Sequence, residues 1–297
     1  MISIVILNNN GASFIPGCLS AIQRNTKDYE LILIDNASDD GSFEMLEEWE
    51  DEKVILLRNK ENLGCPAGRA QALGLVQGDI VVLLDNDTIV TPYWTETLLA
   101  HIRRDTSVGI IGPVTNCISG RQQVGTDGYQ DVDSLDNFSA TVRRAHQSMS
   151  TLEVGRLMGF CMAMRRDVIS KVGAFDGQFG RYGFEDDDYG WRVRLAGYTL
   201  GIAANCFIHH HGSLGGKRSQ EQMAEFNAEL EAAWFIFRDK WQLQSLNFRQ
   251  YGQLTWEYGL VRPFNKKSDF IPLTSKTSLV NLVVKDYNIR RKSEPEE

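Results

Sequence analysis

The sequence contains no apolar run approaching the roughly 20 residues that cross a bilayer as a helix. It also has no C-x-x-C pair of the kind zinc and thiol redox sites use. Its five cysteines, Cys18, Cys65, Cys117, Cys161 and Cys206, are scattered and odd in number, so free thiols in a reducing cytoplasm are expected rather than a disulfide framework. No charged segment and no small-residue cleavage site accompany the first apolar run, and a secretory signal is not expected. A sequence-wide basic face is missing too: 39 Asp and Glu outweigh 31 Lys and Arg, for a formal net charge of -8. Nucleic acid is therefore not an expected partner. Positive charge gathers locally near the C-terminus, at Lys266, Lys267, Arg290, Arg291 and Lys292. That group reads first as a solvated tail and second as a peripheral contact with an anionic membrane, which would place a cytoplasmic protein at the inner face. No G-x-G-x-x-G follows the first apolar run, which argues against a dinucleotide-dependent dehydrogenase. No internal repeat is present.

The 297 residues, 42% hydrophobic, suffice for one large domain with a full core, or for that domain and an appendage. Short β-branched runs at 2–7, 31–34, 54–57 and 80–84 alternate with amphipathic stretches, the pattern of strands joined by crossover helices. Each run ends in a polar or glycine-bearing loop, and in open α/β sheets ligands bind beyond the carboxyl ends of the strands. From 117 to 151 periodicity fades, which suggests a long surface excursion. Residues 159–164 read as a buried strand, 185–195 as a helix, and 199–208 as a strand that delivers His209, His210 and His211. Residues 221–241 read as a helix with Phe226, Leu230, Ala233, Trp234 and Phe237 on one face. The last residues, 290–297, are expected to be disordered.

The candidate chemistry sits in the loops. Asp85-Asn86-Asp87 puts two carboxylates directly after an apolar strand, where they repel each other unless a cation or a proton is shared. A divalent ion completed by substrate phosphates suits that arrangement; an Asp-rich turn is the plainer alternative. Asp35 ends the second run and could accept a hydrogen bond from a base N–H, with Ser38 or the loop amides holding a ribose. Capping of the next helix would equally explain it. Glu185-Asp186-Asp187-Asp188 opens a helix. Dipole electrostatics and an Asp188–Arg192 pair at i,i+4 explain most of that run, yet four carboxylates exceed what capping needs, and one of them could be a general base. Alternation sends His209 and His211 to one face of their strand and His210 to the other.

Taken in order, these segments resemble the inverting family 2 nucleotide-sugar glycosyltransferases of GT-A fold, over about residues 1 to 241. The resemblance rests on residues 2–7, 33–42 (Leu-Ile-Asp-Asn-Ala-Ser-Asp-Asp-Gly-Ser), Asn62-Leu63-Gly64, Gly68-Arg69, 83–87, Arg165-Arg166-Asp167, Gly173-Ala174-Phe175-Asp176, Glu185-Asp186 and 209–212. It implies a mostly parallel central sheet flanked by helices. A nucleotide-binding half would fill 1–115, an acceptor and catalytic half 116–241, and a helical C-terminal extension 242–297. It implies that Asp35 reads the nucleobase, favouring UDP or dTDP, and that Asn10, Ser38, Asn62, Gly64, Arg69, Asp85 and Asn86 lie on the donor side. Asp87, with Asp85, would bind Mn²⁺ or Mg²⁺. Asp186, beside Glu185, would be the base. His209 best matches the histidine that completes the metal site, while His210 and His211 stay open. Asn8-Asn9-Asn10 departs from the family's usual first loop, with only Asn10 matching.

Such an enzyme would move a sugar from a nucleoside diphosphate to a hydroxyl of a glycan, lipid-linked or protein acceptor. Phe160, Tyr182, Phe184 and Trp191 are candidates for stacking on a sugar. A sugar-nucleotide pyrophosphorylase is the nearest rival enzyme, but its class needs a basic phosphate loop, and 8–17 holds no Lys or Arg. A non-catalytic sugar-nucleotide-binding protein is the rival from another class.

Overall fold

A computed structural model describes residues 1–49, 53–125, 129, 131–147, 151–212, 219–243, 246–252 and 288–291. The four apolar runs form β1 (Ile2–Asn8), β2 (Tyr29–Asp35), β3 (Val54–Arg58) and β4 (Ile80–Asp85), joined by α1 (Ile15–Asn25), α2 (Ser42–Glu48) and α3 (Cys65–Leu73). Then follow β5 (Thr88–Val90), α4 (Trp94–Arg104), β6 (Val108–Val114), α5 (Val132–Ala145), β7 (Leu152–Val154), β8 (Cys161–Arg165) and α6 (Arg166–Val172). After a 3-10 turn at Gly177–Phe179 come α7 (Glu185–Leu195), β9 (Thr199–His210), α8 (Gln220–Lys240), α9 (Phe248–Gly252) and β10 (Asn288–Arg291).

The sheet runs β10-β3-β2-β1-β4-β8-β6-β9-β5, with β7 beside β9. Parallel pairing holds for the block β3-β2-β1-β4, as a doubly wound half requires. Beyond β4 the sheet is mixed rather than mostly parallel: β8 runs antiparallel to both β4 and β6. Register positions the site. Asn8 pairs with Asp35, Asp35 with Arg58, and Leu7 with Asp85, so these polar strand ends share one rim. Leu84 pairs with Cys161 across the antiparallel seam, and the Asp85 amide donates to the Phe160 carbonyl at 2.8 Å. β5 turns back from the second aspartate and pairs Thr88 with His210, Ile89 with His209.

Two expectations are corrected by the fold. The stretch 117–151 is not irregular throughout. It holds α5, opened by a capping box of Asp131 and Ser134, and Leu135, Phe138 and Val142 pack into the main core. That stripe is too narrow to stand out among the polar residues around it. Arg290 and Arg291, expected to be disordered, extend the sheet as part of β10, antiparallel to β3. Lys266, Lys267 and Lys292 lie outside the described residues, as does most of 242–297.

The strands bury a continuous apolar core, and a second, aromatic cluster lies against α7. Phe179, Phe184 and Trp191 meet Trp234, Phe237 and Trp241 there, and Leu243 and Tyr251, past the boundary expected at 241, complete it. The described start of the extension is therefore packed against α7 and α8. All five cysteines are free thiols. Among the described residues no helix is long and apolar enough to cross a membrane.

Candidate active site

The base of the crevice is an asparagine network that sequence reading did not foresee. Asn8 Nδ2 donates to Asp35 Oδ1 at 3.1 Å, Ser38 Oγ at 3.1 Å and Ser42 Oγ at 2.8 Å, while its Oδ1 accepts from Asn86 Nδ2 at 2.7 Å. Asn9 donates to the Asn36 carbonyl and accepts from Asn62. Asn36 in turn bonds Asn62, Gly64 and Asn59. The short amide, carrying both donor and acceptor, lets the ends of β1, β2 and β3 satisfy one another. Gly11 is required beneath this network, since a Cβ there would lie 2.3 Å from both Asn8 Oδ1 and Asn86 Nδ2.

Asp35 lies under the loop instead of on it. It has no exposed surface, its oxygens accept from Asn8 Nδ2 and the Ser38 amide, and Arg58 Nε stands 3.8 Å away. In this arrangement Asp35 supports the loop that the sequence reading places at the nucleobase. The exposed acids of the same loop are Asp39 and Asp40. Asp40 accepts from the Ala12 and Ser42 amides, whereas the Asp39 carboxylate has no bonded partner among the described residues. Asn10, on the rim, accepts at Oδ1 from the Asp39 amide at 2.9 Å and donates its own amide to Ser38 Oγ at 3.0 Å.

Above β4, Asp85, Asp87 and His210 each offer a ligand atom, and these lie within 4.8 Å of one another. His210 Nε2 is 3.1 Å from Asp87 Oδ1 and 4.0 Å from Asp85 Oδ2. Its Nδ1 donates to the Cys117 carbonyl at 2.7 Å, which fixes the ring and turns Nε2 toward the acids. The histidine expected here was His209. Strand alternation puts His209 on the opposite face, its Nδ1 2.7 Å from the Tyr129 hydroxyl and its Nε2 3.4 Å from His211. Burial works against protonation of His210, but the hydrogen bond to Asp87 and the charges of Asp87 and Asp85 outweigh it and raise its proton affinity. Burial likewise raises Asp85, with Arg69 pulling down and Asp87 pushing up. Two carboxylates and an imidazole are a donor set that fits Mn²⁺ or Mg²⁺.

Arg69 joins this cluster to the acid run. Almost wholly buried, it donates from Nη2 to Asp85 Oδ1 at 3.0 Å and to the Gly159 carbonyl at 2.9 Å, and its Nη1 stands 3.7 Å from Glu185 Oε1. Gly159 then donates its amide to Asp186 Oδ2 at 2.9 Å, while Asp186 Oδ1 accepts from the Asp187 amide at 2.8 Å. Burial first, then the charge of Asp186, pushes Glu185 up to about 7 against the pull of Arg69. The expected Asp188–Arg192 pair is present at 2.9 Å. Asp187 pairs with Arg156.

The aromatic candidates are mostly core. Phe184 and Trp191 belong to the second cluster, Tyr182 stacks on Phe226, and Phe160 stacks on the His210 ring at 5.3 Å between centroids.

A nucleotide-type crevice over a half-parallel sheet, lined by a D-x-D pair, a histidine and a buried acid run, defines a GT-A-like protein. The chain belongs to glycosyl transferase family 2, whose sequence model matches residues 3–173. It is 25% identical over 274 residues to polypeptide N-acetylgalactosaminyltransferase 11 of Xenopus tropicalis, covering 81% of this chain but only 43% of that relative. Among solved structures it is similar to GalNAc-T7 with UDP, GalNAc and Mn²⁺, at TM-score 0.56 and 19% identity, over 71% of this chain and 43% of that one. It is also similar to a mannosyltransferase from Pyrobaculum calidifontis in complex with GDP-Man and Mn²⁺, at TM-score 0.53 and 15% identity, over 85% of this chain and 78% of that one. These likenesses establish the GT-A fold.

Proposed function

We propose that the chain transfers a sugar from a nucleoside diphosphate to an acceptor hydroxyl with inversion, using a divalent cation. The observation that carries this reading is the convergence of Asp85, Asp87 and His210 at the strand ends, tied through Arg69 and Gly159 to Asp186. Those three side chains would hold Mn²⁺ or Mg²⁺, which supplies positive charge against the diphosphate leaving group. Asp186 takes the acceptor proton as the hydroxyl oxygen bonds the anomeric carbon and the diphosphate departs with the electron pair of the broken C–O bond. Its two oxygens each accept one backbone amide, which orients the carboxylate and leaves lone pairs for that proton. Asn62, Gly64 and Asn86 shape the donor side. For the base, a UDP or dTDP preference is supported by acids that an imide N–H could reach: Asp35 at the end of β2, and the exposed Asp39, whose carboxylate has no bonded partner among the described residues. The acceptor side falls to 116–241, with a glycan, a lipid-linked glycan or a protein as the acceptor classes.

A screen of nucleotide sugars with Mn²⁺ or Mg²⁺, scored by nucleoside diphosphate release with and without sugar acceptors, tests the reading. Release from one donor, enhanced by an acceptor and lost with chelator, is expected. Tight nucleotide binding in calorimetry with no turnover of any donor would point to a non-catalytic binding protein instead.

A further inference from the structure

Past Asp186 the acid run is held by residues from distant parts of the chain, and its two members are held differently. Asp188 accepts from Arg192 Nε at 2.9 Å and Trp241 Nε1 at 3.0 Å, with Lys240 Nζ at 2.8 Å, partners on α7 itself and at the end of α8. Asp187 accepts from Arg156 Nε at 2.5 Å and Nη2 at 2.7 Å, and its Oδ1 also accepts from the Tyr251 hydroxyl at 2.8 Å. Arg156 lies on the segment that leads to Gly159, and Tyr251 lies on α9, beyond both the family match and the boundary expected at 241.

We propose that Tyr251 is a positioning residue for sugar transfer: by holding Asp187 against Arg156 it locks the start of α7 to the 156–159 segment and so sets the direction of the Asp186 carboxylate. The inference rests on Asp186 being the base. Both groups that orient Asp186 travel with this triad. One donor is the amide of Asp187; the other is the amide of Gly159, just downstream of Arg156. Local structure does not supply the hold. The residue before the helix, Phe184, has φ 63 and provides no side-chain cap. A bulky residue keeps that left-handed conformation only when its surroundings impose it. The surroundings are aromatic: the Tyr251 ring is 5.9 Å from the Phe184 ring, 5.2 Å from Phe237 and 5.4 Å from Trp234, and the residue is 1% exposed. Packing therefore aims the hydroxyl at Asp187. Burial pushes Asp187 up to about 6 while Arg156 pulls it down, and a donated hydroxyl favours the ionised form.

Tyr251→Phe keeps the ring and removes only the hydroxyl. We expect kcat for transfer to fall by roughly 10- to 100-fold, as small misplacements of a reacting group do, with KM for the nucleotide sugar unchanged. Combined with Asp186→Asn the losses should not add, because both act on one step. The Phe248 ring lies 5.6 Å from Phe184 and 6.1 Å from Trp234, so Phe248→Leu loosens this aromatic packing without removing a hydrogen bond to an acid, and should lower the melting temperature at unchanged kcat. Wild-type kcat in Tyr251→Phe, or a kcat loss in Phe248→Leu that matches it at equal loss of melting temperature, overturns the proposal and leaves the base assignment standing. Full transfer by Asp186→Asn overturns the base assignment and this inference with it.

Discussion

His210 Nε2 stands 3.1 Å from Asp87 Oδ1, whereas His209, one residue earlier in the same strand, turns its ring to the Tyr129 hydroxyl. Adjacent side chains of a strand face opposite ways, so only one of the two can complete a site with the aspartates.

This separation makes the metal reading testable in isolation. Asp87→Asn and His210→Ala should each weaken Mn²⁺-dependent binding of a nucleoside diphosphate by at least an order of magnitude, roughly 1.4 kcal/mol or more. His209→Ala should leave it unchanged. Calorimetry at fixed Mn²⁺ decides the matter, and an undiminished affinity in His210→Ala would remove the histidine from the site.

The parallel half of the fold was legible because each of its strands is an apolar run closed by a loop of Asn, Asp and Gly, and Asp85, Asp87 and Asp186 stand at the element ends where the sequence put them. The choice among three histidines was not legible. It depends on where β9 pairs with β5, a long-range register that local pattern does not carry. Asn8, Asn36 and Asn59 were overlooked for a related reason: an asparagine in a loop reads as a turn former until other strand ends are seen to meet it. Asp35 illustrates the reverse. Its position was right, but burial under Asn8 and Ser38 follows from the packing of two loops, which no single segment reveals.

Gly159 lies between Arg69 and Asp186, with no room for a side chain. A Cβ there would lie 2.8 Å from Arg69 Nη1 and 3.3 Å from Asp186 Cβ, so one or both must move. Gly159→Ala should lower transfer by roughly 10- to 100-fold while the protein stays folded. Circular dichroism melts beside steady-state kinetics check this, and wild-type turnover would show that the Arg69–Asp186 spacing does not matter to the reaction.

Glu185 links stability to pH. Its folded-state pKa of about 7 is above the ordinary 4.5, chiefly through burial and then the charge of Asp186. The ionised form is thus disfavoured in the folded protein. Whatever Glu185 contributes to stability is present in full below about 4.5 and is lost as pH rises through 7. Glu185→Gln keeps the shape without the charge, so it should melt a few degrees higher than wild type at pH 8 and show no gain at pH 4. Metal-free thermal melts at the two pH values test the sign; a variant less stable at pH 8 would mean the Arg69 contact outweighs the burial of the charge.

Asp186 carries the chemistry in the proposed reaction, and its surroundings define how its loss should register. It accepts the Gly159 and Asp187 amides and makes no ion pair among the described residues, so Asp186→Asn leaves no opposite charge stranded. A base interacts with the acceptor proton most strongly in the transition state, so its removal should cost kcat rather than donor affinity. Transfer should fall by roughly 100-fold or more, the usual worth of general base catalysis, with the donor dissociation constant nearly unchanged. Asp188→Asn is the contrasting case. That acid is fully buried against Arg192, Trp241 and Lys240, so losing its charge should lower the melting temperature. Single-turnover transfer and donor titrations on both variants separate the roles. If Asp186→Asn turns over at the wild-type rate while Glu185→Gln does not, proton removal belongs to Glu185, the neighbouring acid, 3.7 Å from Arg69 Nη1.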